Sequence, residues 1–181
     1  MSTENADIRK QVEANRGAVK KLELLIPGIR GYRKLEDIRV SDGMLRSQVA
    51  DKIDQAKSSL ETLRKQLVNN GDFANLAALG ALISQVQQFS GEVRHSQQGY
   101  SGIAAAIRID EGKLNKLYEY DLDFVSSAFE LQDAAARITT DSGALPSAIS
   151  SLGSSLAAVK KKWAVRMENI EGVLVGQGDK K

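Results

Sequence analysis

Two aspartates in this chain fall where apolar residues are due. Asp42 lies four residues after Ile38 and three before Leu45, and Asp121 lies four after Leu117. At helical spacing those intervals set each carboxylate on the apolar face of its helix. A carboxylate buried there is costly unless it is paired and hydrogen-bonded, so each calls for Arg, Tyr or backbone donors. Arg39 and Arg46 lie near Asp42 in sequence, and Tyr118 and Tyr120 lie near Asp121. Asp42, Arg46, Tyr118 and Asp121 are therefore the candidate polar layer. Such a layer does one of two things: it lines a pocket for a cation or small ligand, or it fixes helix register. The structural role is the expectation, because structural ion pairs also perturb carboxylates.

Other residue types that could do chemistry are less promising. Glu92-Val93-Arg94-His95 places a Glu and a His three apart, on one helix face, as in half of a di-iron bundle site. That site needs the motif twice, and the chain has one His, so a solvated ion pair is the expected reading. His95 alone would have to activate any serine nucleophile, and no Gly-x-Ser-x-Gly elbow or phosphate-cradling glycine motif is present. Lys160-Lys161-Lys162-Trp163 could clamp phosphate or lipid headgroups, but Trp163 falls on an apolar stripe and the lysines read as a solvated face. No catalytic residue, metal ligand or cofactor is assigned.

One connection stands out. Gly102 to Ile107 carries no charge for six residues, whereas connections at a surface are normally polar. Tyr100, Ile103 and Ile107 form a candidate contact loop: the two isoleucines are four apart, on one face if helical, and either fold over the bundle end or meet a partner.

The elements that must position these residues are long helices. Ile8, Val12, Val19, Leu22 and Ile26 predict a helix over about 5–26, stopped by Pro27 and Gly28. A second helix starts near Lys34 and carries Leu35, Ile38, Asp42, Leu45, Val49, Ile53, Ala56, Leu60, Leu63 and Leu67. Its phase is kept across Ser41-Asp42-Gly43, so it continues despite the helix cost of Gly. Asn69-Asn70-Gly71-Asp72 predicts a left-handed C-cap with Asp72 as the next N-cap. A third helix is predicted over 73–98, with Gly80 at a close helix contact, and a fourth over 111–139. A fifth over 146–174 has Pro146 in its first turn and Leu152, Leu156, Val159, Trp163, Met167 and Ile170 in its stripe. Residues 1–4 and the tail from 177 on are expected to be flexible.

Ile26-Pro27-Gly28-Ile29-Arg30-Gly31-Tyr32, the following helix with Asp42, Leu45 and Arg46, Gly99-Tyr100-Ser101-Gly102 and the run Leu114 to Asp121 resemble a group of bacterial and archaeal all-helical proteins with an IPGxxGY corner. The resemblance spans about residues 26–125. It implies a single all-helical domain in which the two Gly-Tyr corners and the two aspartates matter together. It implies no activity and no catalytic residue.

Composition agrees with the helical reading. Of 181 residues 42% are hydrophobic and 27% charged, with two prolines and no cysteine. This is the vocabulary of long helices, and it excludes disulfide scaffolds and thiolate sites. No leader segment or membrane span is visible. Charge is uneven: Lys and Arg outnumber acids 14 to 10 over residues 1–70, acids lead 9 to 5 over 71–140, and bases lead 6 to 4 thereafter. A dedicated nucleic-acid binder usually shows a stronger basic excess, and helices of opposite charge side by side fit the asymmetry at least as well. The expectation is an all-α, elongated up-down antiparallel bundle of four to five long helices, one domain over 1–181, cytoplasmic. Its expected function is that of a non-enzymatic interaction or scaffold protein for a protein partner or a second copy of itself. The alternatives are a peripheral membrane-surface adaptor and a ribosome- or RNA-associated factor that uses the basic N-terminal helices.

Overall fold

In a computed structural model that describes residues 17–29, 35–96, 111–141 and 143–174, all regular structure is helical. The side chains of 35–39, 111, 113 and 171–174 are outside this description. Helix α1, over 17–25, ends where Pro27 predicts it. The Ile29 amide donates to the Ile26 carbonyl at 3.3 Å across Pro27 and Gly28, with Gly28 at φ +92°. This is a type II turn, in which proline presets the second position and glycine supplies the positive φ of the third. A Cβ on Gly28 would also sit 2.8 Å from Met44 Cε. Gly28→Ala should therefore cost about 1–2 kcal/mol in backbone strain, plus whatever Met44 loses by moving. Gly71→Ala is the comparison in urea denaturation. Gly71 is also left-handed, at φ +72°, but a Cβ there would meet nothing, so Gly28→Ala should be the more damaging.

Helix α2, Leu35–Asn69, runs unbroken for 35 residues through Ser41-Asp42-Gly43, as the uninterrupted stripe requires. Its end is closed by Gly71 N–H to Val68 O at 3.1 Å and Asp72 N–H to Leu67 O at 2.9 Å. These two bonds are those of a left-handed glycine cap. Helix α3, Leu76–His95, is shorter than the sequence suggests, at 20 residues. Asp72 does not cap it. The Asp72 carboxylate instead accepts the Ala74 amide at 3.3 Å and holds a turn, which leaves Phe73 outside the helix and 65% exposed. Asn75 takes the N-cap place without a side-chain bond. Gly80 is not at a close contact either, since a Cβ there would meet no atom within 4 Å.

Helix α4, Glu111–Arg137, and helix α5, Leu145–Leu174, follow. Between them the Asp141 carboxylate accepts the Gly143 amide at 3.1 Å and its carbonyl accepts Leu145 N–H at 2.9 Å. Pro146 stands in the first turn of α5, where its missing donor costs least. The contacts give the directions. Arg46 meets Ser96 while Ser90 meets Ala50, so α2 and α3 are antiparallel. Phe89 pairs with Lys160 and Glu92 with Trp163, so α3 and α5 are parallel. With α4 and α5 joined by a short turn, this is an up-down bundle.

Contacts divide the chain into two compact units. One comprises Met1–Leu45, Gln97–Val125 and Ala164–Lys181, and the other Arg46–Ser96 and Ser126–Trp163. In the first, Leu22, Ile26, Leu45, Phe124 and Ile170 are buried; in the second, Ile53, Leu60, Leu67, Val86, Phe89, Leu131 and Leu156 are. Buried positions on α5 are Leu145, Ile149, Leu152, Leu156, Val159, Trp163, Arg166 and Ile170. Their steps alternate four and three, the repeat of a coiled-coil seam. On α4 the series Leu117, Asp121, Phe124, Ala128, Leu131 and Ala135 repeats the pattern. Each seam thus contains a charged residue among apolar ones. No described helix is long and apolar enough to cross a membrane.

Candidate functional site

Those charged seam residues meet in the first unit. Arg166 of α5 is 1% exposed and lies between two carboxylates from different helices. Its Nε donates to Asp121 Oδ1 of α4 at 2.5 Å, and its Nη2 donates to Asp42 Oδ1 of α2 at 2.6 Å. Asp42 is 3% exposed and Asp121 is fully buried. One edge of the guanidinium, which usually grips a single carboxylate with two parallel bonds, is here divided between two. All three residues take part in further interactions besides these. Charge-assisted bonds of this length are among the strongest side-chain bonds. In a buried place they offset part of the cost of taking the ions out of water.

The sequence singles out the two aspartates, and the structure brings them to one point. It does so through a partner more than forty residues from either, not through the arginines and tyrosines beside them. Arg46 is buried, and its Nη1 donates to the Ser96 carbonyl at 2.8 Å and the Ser96 hydroxyl at 3.2 Å. It thereby ties α2 to the residue that ends α3. Tyr118 is buried with Asp121 on α4, and Tyr120 is half-buried. The side chain of Arg39 lies outside the described residues, as do the whole contact loop with Tyr100, Ile103 and Ile107 and the two chain ends. Arg166 itself was legible only to a strict count. The sequence stripe passes from Trp163 to Met167, whereas the seam alternates four and three and reaches Arg166.

In the second unit the Glu92-x-x-His95 pair is not an ion pair. Glu92 Oε1 accepts the Trp163 indole N–H at 3.0 Å, which satisfies the polar end of a buried aromatic side chain. His95 is exposed. Among the described residues no group of three or more His, Asp or Glu side chains is placed to hold a metal ion. Lys160 lies 5.8 Å from the centre of the Phe89 ring and Lys161 is exposed, which fits a solvated face beside an inward indole. Arg94 bridges Asp51 at 2.9 Å and Asp54 at 2.8 Å. The hydrogen bond that Arg94 donates to Asp51 is the largest cause that holds its guanidinium above the ordinary value; burial opposes it, and the bond donated to Asp54 adds to it. At 32% side-chain exposure this bridge adds little stability.

One concavity among the described residues is a groove where α4 turns into α5, lined by Ala134, Ile138, Ala144, Ala148, Leu152 and Ser155 with Arg137 among them. Its lining is mostly small and apolar and brings no pair of reactive side chains together. Chemically, the described residues therefore offer a buried charge triad that joins three helices, an indole–carboxylate bond that joins two, and a shallow apolar groove. No protein-family model, curated protein or solved structure matches the chain, so its function has to be argued from these features.

Proposed function

We propose that this is a non-enzymatic helical interaction or scaffold protein that binds a protein partner or a second copy of itself. The observation that supports this most is the Asp42–Arg166–Asp121 triad. The charged side chains that could have furnished an acid, a base or a ligand cage are bonded to one another across α2, α4 and α5. Glu92, the other candidate, is held by Trp163. Polar groups used in this way stiffen a bundle, and a stiff bundle presents its outer faces to a partner with little loss of conformational freedom. A cytoplasmic place belongs to the same proposal, and the cysteine-free composition is compatible with it.

The test combines light scattering of the purified chain over a wide concentration range with capture from native extract by cross-linking. Self-association, or a saturable complex of fixed stoichiometry with one protein that survives ribonuclease and detergent, is the expected result. Binding only to RNA, with affinity falling steeply as salt rises, would replace this reading with the RNA-associated one. Binding only to anionic vesicles would replace it with the membrane-surface adaptor.

A further inference from the structure

We propose that the Asp42–Arg166–Asp121 triad is an alignment lock, which selects one register of α5 against α2 and α4 from among registers displaced by a heptad. The need for such a lock follows from the seam. Along α5 the buried positions repeat as Leu, Ile, Leu, Leu and Val from Leu145 to Val159. Apolar contact is non-directional. When the helix slides by seven residues, three of these five places receive another aliphatic side chain: Leu152, Leu156 and Val159 come to the places of Leu145, Ile149 and Leu152, or the reverse. At those places the apolar seam separates the native alignment from its neighbours only weakly.

The triad separates them sharply. A slide of one heptad one way would bring Val159 between Asp42 and Asp121, and a slide the other way would carry Arg166 to the apolar place of Val159. Both carboxylates, now 3% and 0% exposed, would be buried without the guanidinium. The guanidinium would be buried without them. Such losses are confined to the displaced registers, so the triad widens the gap between the native packing and its rivals whatever it adds to the native packing itself. A single polar residue at a coiled-coil core position specifies register in the same way. The Trp163–Glu92 bond is a second polar pair on α5 that only one alignment satisfies.

The test uses the full chain with Asp42→Leu, Asp121→Leu and Arg166→Met together, which replaces the charges by an apolar layer. Because the chain has no cysteine, spin labels can be placed through Glu119→Cys on α4 and Glu168→Cys on α5, both exposed. Pulsed electron resonance then reads the distance between them. The labelled parent should give one narrow distance. The apolar variant should keep its helix content and give a broadened or split distribution, with a component from helices offset by about 10 Å, one heptad of helical rise. A second variant, Asp121→Arg with Arg166→Asp, keeps a cation between two carboxylates and should retain the parent's single distance. One narrow, unshifted distance in the apolar variant would overturn the proposal, because alignment would then not depend on the triad. Loss of helix in that variant would overturn it too, since the triad would be a source of stability rather than of alignment.

Discussion

Arg166→Met should lower the unfolding free energy by about 3–5 kcal/mol, the range for removing one partner from a buried ion pair. Methionine fills much of the aliphatic volume of the arginine, so packing loss is the smaller part. The larger part is that Asp42 and Asp121 lose the donor that lies between them, in places where water does not reach. For a chain of this size such a loss corresponds to a fall in melting temperature of roughly 6–20 °C. Arg166→Lys should recover only part of it, because an ammonium is a point charge and cannot direct two fixed N–H bonds at carboxylates on separate helices. Thermal and urea unfolding of the three proteins would check the order: parent, then Lys, then Met. If Arg166→Met unfolded like the parent, the triad would contribute nothing to holding α2, α4 and α5 together.

Leu60→Asp should have a still larger effect. Leu60 is fully buried on α2, between Ala56 and Leu63 of the same stripe. The substitution removes the transfer energy of a buried leucine, about 2–3 kcal/mol, and adds a carboxylate for which the surrounding apolar side chains offer no donor. Together these exceed about 4 kcal/mol and approach the whole stability of a typical domain, about 5–15 kcal/mol. The expected result is loss of the cooperative melting transition at room-temperature stability margins. Leu60→Ala is the control. It leaves a cavity without a charge and should cost about 2–5 kcal/mol while the fold persists. Circular dichroism on both variants distinguishes the outcomes, and a Leu60→Asp protein that melts no lower than Leu60→Ala would show that the site admits water.

How far the fold could be read from the chain depended on the kind of signal. The continuity of α2 through Gly43 was legible because the stripe kept its phase, and a local propensity cost of about 1 kcal/mol is small against burial on both sides. Asp42 and Asp121 were legible because a charge in an apolar stripe is conspicuous. Their partner was not, because a long basic side chain on a helix is usually solvated, and Arg166 stands next to Met167, which offered an apolar residue at nearly the same place. Glu92 was misread as a solvated ion pair because Trp163, which it binds, is 71 residues away, and spacing along one helix carries no information about that. The start of α3 was misjudged for a different reason. Asp72 accepts a backbone amide two residues on in the turn it makes, and an N-cap aspartate would do the same in the first turn of a helix. The residue type is identical in the two cases, and only the downstream backbone distinguishes them.

The bond between Trp163 and Glu92 has an optical consequence. Trp163 is the chain's single tryptophan, so indole fluorescence reports on one contact, that of α5 with α3 in the second compact unit. The ring is 3% exposed and should emit at short wavelength in the folded chain and at longer wavelength once water surrounds it. The Asp42–Arg166–Asp121 triad belongs to the other unit, and far-ultraviolet dichroism weighs every helix. If the two probes give one transition, the chain unfolds as a whole, and if they give two, the emission names the unit that opens.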